Sequence, residues 1–140
     1  MAFYECVDTI TLVAGENLNG GVYRCLAINS SGLAVFADAA TSVTVGILAE
    51  DPDTGESGDD STGRRVTVAL LKGILKVEAG ATVAAGALAI PISGGVIDDV
   101  ATLAATANDT MAIGILLEGG STGQIVSMLA MPLTATISAA

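Results

Sequence analysis

Residues 45–50 read VGILAE and residues 113–118 read IGILLE. Each is followed by Ser-Thr-Gly, at 61–63 and at 121–123, and then by an apolar run, RRVTVALL over 64–71 and QIVSMLAM over 124–131. Short apolar runs bounded by glycine suit buried strands, and the VTV of 66–68 alternates with period two, as a half-covered strand does. The upstream sequence repeats too. Gly15 matches Gly80 and Gly21 matches Gly86, each 65 residues on, and the turn NSSG at 29–32 falls near ISGG at 92–95. The landmarks keep their order while loop lengths change. This predicts an all-β, internally duplicated small barrel or sandwich, with residues 1–140 as a single β domain and repeat halves at about 14–71 and 79–131. Two copies of a unit of about 60 residues are too few for a solenoid, so the halves are expected to complete one another.

The expected strands are 22–28 with 33–37 and 43–48 with 66–71, then 87–92 with 96–100 and 111–116 with 125–130. At 98–107, DDVATLAATA, an Asp98 or Asp99 cap followed by helically spaced apolar residues predicts at most one or two helical turns. The first copy joins its last two strands through thirteen residues, the acidic loop 51–63, where the second uses five. Loop lengthening costs only about 0.6 kcal/mol per doubling, and a polar, Gly-containing, acidic insert cannot add to a core. It is read as a solvent-facing excursion.

Composition narrows the function. The chain carries fifteen acids against five bases, a net charge of −10, so nucleic acid and anionic membrane surfaces are excluded as partners. Four of the five cations, Arg64, Arg65, Lys72 and Lys76, fall within thirteen residues and are read either as a solvated loop followed by a strand with exposed ends or as a basic edge that could face an acidic partner. The uncharged stretches 79–97 and 119–140 are broken by Gly and Pro and do not span a bilayer. The N-terminal MAFYECVDTI has no basic segment leading into an apolar run, so no signal peptide is expected and Cys6 and Cys25 are expected reduced. Half of the chain is hydrophobic (51%), yet it holds only two Phe, two Tyr and no Trp. A core of small side chains buries little area per residue at ~25 cal/mol per Å², so partner contacts are expected to cover part of the apolar surface.

There is no histidine, which removes His-dependent nucleophilic catalysis and mixed-ligand zinc sites. Asp53-Thr54-Gly55 spells the aspartic-protease triplet, but it lies in a polar loop and the second half lacks a partner triplet, so no buried carboxylate dyad is expected. Counted from Asp51, the sixth residue is Glu56 and the twelfth Thr62, where a calcium-binding EF-hand needs Gly and Glu. GGSTG at 119–123 has no lysine and no following helix to hold phosphate. No catalytic, cofactor or metal-binding residues are expected, and the chain is not expected to be an enzyme.

The ordered motifs, AGENLNGGVY and AGATVAAGAL, VGILAE and IGILLE, then GRRVTVALL and GQIVSMLAM, resemble the capsid cement, or head-decoration, proteins of tailed bacteriophages. The resemblance covers roughly 14–131 and is clearest over 79–131; the long acidic excursion departs from the usual single-copy appearance. It implies a β-rich, non-enzymatic protein, made in the host cytoplasm. Such a protein binds the major capsid protein on the outer surface of the expanded head, often as a trimer, and strengthens the shell. Residues 1–12 and 132–140 lie outside the repeat and are read as arms that could add a strand to a neighbouring subunit, with Phe3 and Tyr4 as the N-terminal anchors; the alternative for the N-terminal segment is an ordinary edge strand of its own barrel. The candidate contact residues are therefore Phe3, Tyr4, Arg64, Arg65, Lys72 and Lys76. The alternative is an extracellular carbohydrate- or calcium-binding β-module, for which exposed aromatics are scarce.

Overall fold

The structure is a computed structural model and describes residues 8–39, 42–52, 60–99 and 108–137. Ten strands form two antiparallel five-stranded sheets. The first sheet contains β1 (Thr9–Val13), β2 (Cys25–Ile28), β3 (Ala34–Phe36), β4 (Gly46–Leu48) and β5 (Arg65–Leu70), in the order β1-β5-β4-β2-β3. The second contains β6 (Gly73–Glu78), β7 (Leu88–Pro91), β8 (Ile97–Asp99), β9 (Asn108–Leu116) and β10 (Ile125–Ile137), in the order β6-β10-β9-β7-β8. The expected all-β class is what the chain adopts; the helical content among the described residues is one 3-10 turn, Ser93–Gly95. No helix among them is long and apolar enough to cross a membrane.

The second sheet repeats the first in strand order and in register. Gly46 and Ile47 lie opposite Leu70 and Ala69, and Gly114 and Ile115 lie opposite Ala130 and Leu129. Val13 faces Arg65 as Glu78 faces Ile125, and Ala27 faces Val35 as Ile90 faces Asp98. The loops follow suit: Gly63 N–H donates to Ala14 O and Gly123 N–H to Ala79 O, at 2.8 and 2.7 Å.

One landmark matches differently from the sequence alignment. Tyr23 N–H donates to Leu48 O as Gly86 N–H donates to Leu116 O, so the counterpart of Gly86 is Tyr23; Gly21 O accepts from Arg24 N–H as Ala84 O accepts from Ala87 N–H, so Gly21 is matched by Ala84. Gly86 has φ 84° and Tyr23 has φ 71°. The geometry of the turn is held in common while the glycine is not.

Other boundaries also shift. The sequence offers β1 as the edge-strand alternative to an arm, and does not offer β6. Thr9–Val13 takes the edge of its own sheet beside β5, so residues 9–12 of the expected arm belong to the sheet, and 1–7 lie outside the described residues. Asp98 and Asp99 lie in β8; 100–107, over which the helical turns were expected, lie outside the described residues. The expected C-terminal arm is, over 132–137, a continuation of β10 paired with β9, after a register shift between Ala130 and Leu133.

Apolar residues divide between two buried clusters. Leu26, Leu48, Val66 and Val68, from one face of the first sheet, pack with Ala14 and Leu18. Cys25, Ile47 and Ala69 of that sheet join a larger cluster with Leu75, Val77, Ile113, Leu116 and Met128 of the second. Burial pushes the Cys25 thiol far above its ordinary range, because a thiolate there would be stripped of water.

Gly46 and Gly114 set the spacing inside each sheet. A Cβ on Gly46 would collide with Ala69 O and Val68 Cγ1, and one on Gly114 with Leu129 O and Met128 Cγ. Gly46→Ala and Gly114→Ala are each expected to destabilise the fold by about 1–3 kcal/mol through overpacking. Urea unfolding would show this as a lower midpoint at constant slope; an unchanged midpoint for either variant would contradict the close approach.

Candidate functional site

The seam between the sheets is where the two halves differ most, and it contains the one cation outside the 64–76 group, Arg24. Its Nη2 lies 3.0 Å from Glu78 Oε2, its Nη1 3.5 Å from Gly94 O, and its guanidinium carbon 5.9 Å from the Phe36 ring centroid. The side chains of the pair are 31% and 19% exposed, so the interaction is only partly screened by solvent. The backbone closes the same joint: Glu78 N–H donates to Tyr23 O at 2.9 Å. Gly95 lies close enough that a Cβ there would meet Cys25 O and Phe36. Sequence reasoning passed over Arg24; its isolation from the other cations was the available signal.

Beside this joint the sheets enclose a cleft of about 320 Å³. Thr9, Tyr23, Ile47 and Ala69 line it from the first half; Ile74, Lys76 and Ser127 line it from the second. Tyr23 is the one non-glycine residue with positive φ among the described residues. That conformation crowds Cβ against the carbonyl and costs a bulky side chain about 1–2 kcal/mol.

The sequence-predicted contact residues do not form one patch. Arg64, Arg65, Lys72 and Lys76 are all exposed. β5 rises about 3.3 Å per residue, so its ends, at Arg65 and Leu70, lie roughly 17 Å apart. Arg64 and Arg65 therefore stand at one end and Lys72 beyond the other. Lys72 Nζ pairs with Asp8 Oδ2 at 2.9 Å, and Lys76 lies at the cleft. Phe3 and Tyr4 lie outside the described residues.

The acidic loop is described at its two stems only, since 53–59, with the Asp-Thr-Gly triplet, lie outside the described residues. Asp51 Oδ1 accepts from Gly20 N–H at 3.2 Å. At the other stem buried Ser61 accepts from Leu18 N–H at 2.7 Å and donates to Asn17 Oδ1 at 3.2 Å. In the second half the counterpart of Leu18, Val83, makes a backbone bridge with Gly120. A side chain thus replaces a main-chain contact where the loop is long. Asp60 Oδ1 accepts from Thr62 Oγ1 at 2.6 Å and Thr62 N–H at 2.8 Å, and these bonds hold its carboxyl below the usual range. Among the described residues no group of acids, cysteines or histidines is arranged to hold a metal ion.

No protein-family model matches the chain, and no curated protein matches it by sequence. Among solved structures it is similar to the head fiber gp8.5 N base of bacteriophage phi29. The TM-score is 0.64 at 19% identity, covering 89% of this chain and 94% of that one. At that identity the likeness speaks for a shared fold.

Two outcomes follow from the seam and the stem. Arg24→Met leaves Glu78 half-buried without its partner and is expected to cost about 1–3 kcal/mol in urea unfolding. Adding Glu78→Leu should recover part of that loss; no recovery would mean that Arg24 acts through something other than the ion pair. Thr62→Val removes the larger of the two influences on Asp60. An NMR titration should then find its carboxyl closer to the ordinary range, and an unmoved midpoint would contradict the hydrogen-bond assignment.

Proposed function

We propose that the chain is a structural protein of a tailed-phage head, a decoration or cement protein. In this reading it binds the major capsid protein on the outer surface of the expanded shell, acts as a homotrimer and performs no catalysis. The observation that carries it is the fold likeness to a phage head fiber base over nearly the whole of both chains. The ordered Gly-marked motifs, which resemble those of decoration proteins, support it separately. The absence of histidine and a net charge of −10 agree with a part that meets protein and not DNA.

A cement role calls for a rigid, wide surface. Two sheets joined by a part-buried ion pair and a backbone hydrogen bond supply the rigidity. Leu, Ile, Val and Met side chains fill the buried core, and close packing of such residues resists deformation.

The same likeness favours a second reading, in which the chain is the base of a longer head appendage. Copy number separates the two. Purified protein added to expanded heads that lack it should decorate the shell at many equivalent positions in electron microscopy and raise the temperature at which the heads rupture. Native mass should give a trimer. Density confined to a few extended fibres would favour the appendage reading, and no binding to heads at all would overturn both.

A further inference from the structure

We propose that the cleft between the two sheets binds a small amphiphile with an apolar body and an anionic head, of the kind represented by a medium-chain carboxylate. The inference is independent of the phage-head reading. The charge of the cleft is the first reason. In a chain with fifteen acids and five bases, the described lining holds one cation, Lys76, and no carboxylate. The nearest acid along the same face of β6, Glu78, is already paired with Arg24 at 3.0 Å. Lys76 and the hydroxyls of Thr9 and Ser127 therefore offer donors, and no ionised acceptor, to whatever enters. An anion repelled by most of this molecule meets the opposite sign here.

The second reason is Tyr23. The repeated scaffold provides its own reference: the matched turn in the other half is satisfied by Gly86 at φ 84°. The fold thus requires a left-handed residue at this point but no side chain. The first half nevertheless places a tyrosine in that conformation, at the wall of the cleft. Strain of this kind is concentrated at functional sites, and the turn alone does not account for it.

The third reason is space. Ala69 is matched by Leu129 in the register of the other sheet, so the first half carries the smaller residue where the cleft lies. The volume of about 320 Å³ sits at the lower end of the roughly 300–1,000 Å³ typical of small-molecule sites, and Ile74 adds an apolar wall. Size and lining together suit a single short chain with one charged end.

Calorimetry with decanoate tests this on the full chain below the micelle threshold. Saturable one-to-one binding is expected. Lys76→Gln should weaken it by about tenfold or more, the loss expected for one charge-assisted contact. Decyltrimethylammonium, with the same body and the opposite head, should not compete. Ala69→Leu should abolish binding by filling the cleft; if that variant melts early, Ser127→Leu fills it from the half-exposed side. Equal binding of the cationic amphiphile, undiminished binding by Lys76→Gln, or non-saturating uptake would each overturn the proposal. So would binding that appears only after residues 1–7 are removed, since that would make the chain's own terminus the occupant.

Discussion

Two matched points without side chains, Gly46 and Gly114, govern the rest of the structure. Each lets the strand beside it approach until Val68 or Met128 folds over the space a Cβ would need. With the approach fixed, the register of β4 on β5 and of β9 on β10 is fixed, and so is which face of each strand turns inward. With four aromatic residues in 140, the chain fills its interior with aliphatic side chains such as Leu26, Leu48, Ile113 and Met128, and glycine stands where Val68 and Met128 fold across a neighbouring strand. That is why glycine, rare inside most strands, begins β4 and lies within β9.

From that common plan the two halves diverge where they meet solvent and where they meet each other. Tyr23 stands where Gly86 does, and Ala69 where Leu129 does. Ser61 uses its hydroxyl where Gly120 uses its backbone, and thirteen residues do the work of five. These changes leave the strand order and the matched pairs Gly46–Leu70 and Gly114–Ala130 in place. The consequence is a molecule whose two copies carry the same skeleton and different surfaces.

The sequence made the all-β class legible because G-I-L followed by S-T-G recurs where strands β4, β5, β9 and β10 run. It left β1 between two readings and hid β6, for different reasons. Thr9–Val13 alternates Thr with apolar residues at a sheet edge, and its threonines make it resemble a polar arm. Gly73–Glu78 follows β5 after Leu71 and Lys72 alone, so one apolar run conceals two strands. The Asp98-Asp99 pair resembles a helix cap because local chemistry favours it, yet pairing with β7 draws both residues into a strand. The seam was the least legible part. Arg24, Glu78 and Phe36 are far apart in sequence, and nothing in their local spacing announces that they converge. The four clustered cations were conspicuous and are spread along β5 and β6, whereas the single outlying arginine joins the two sheets.

The link between β5 and β6 has a further meaning for biosynthesis. Every strand of the first sheet is on the chain by Leu70, and the second sheet begins at Gly73. No described strand has to wait for a partner from the other half in order to pair. A ribosome therefore delivers one whole hydrogen-bonded layer before the next one starts, and vectorial synthesis follows the order of assembly. The emerging chain meets its correct neighbours before it meets the strands that hold the matching places in the other sheet, which guards against pairing between the two sheets.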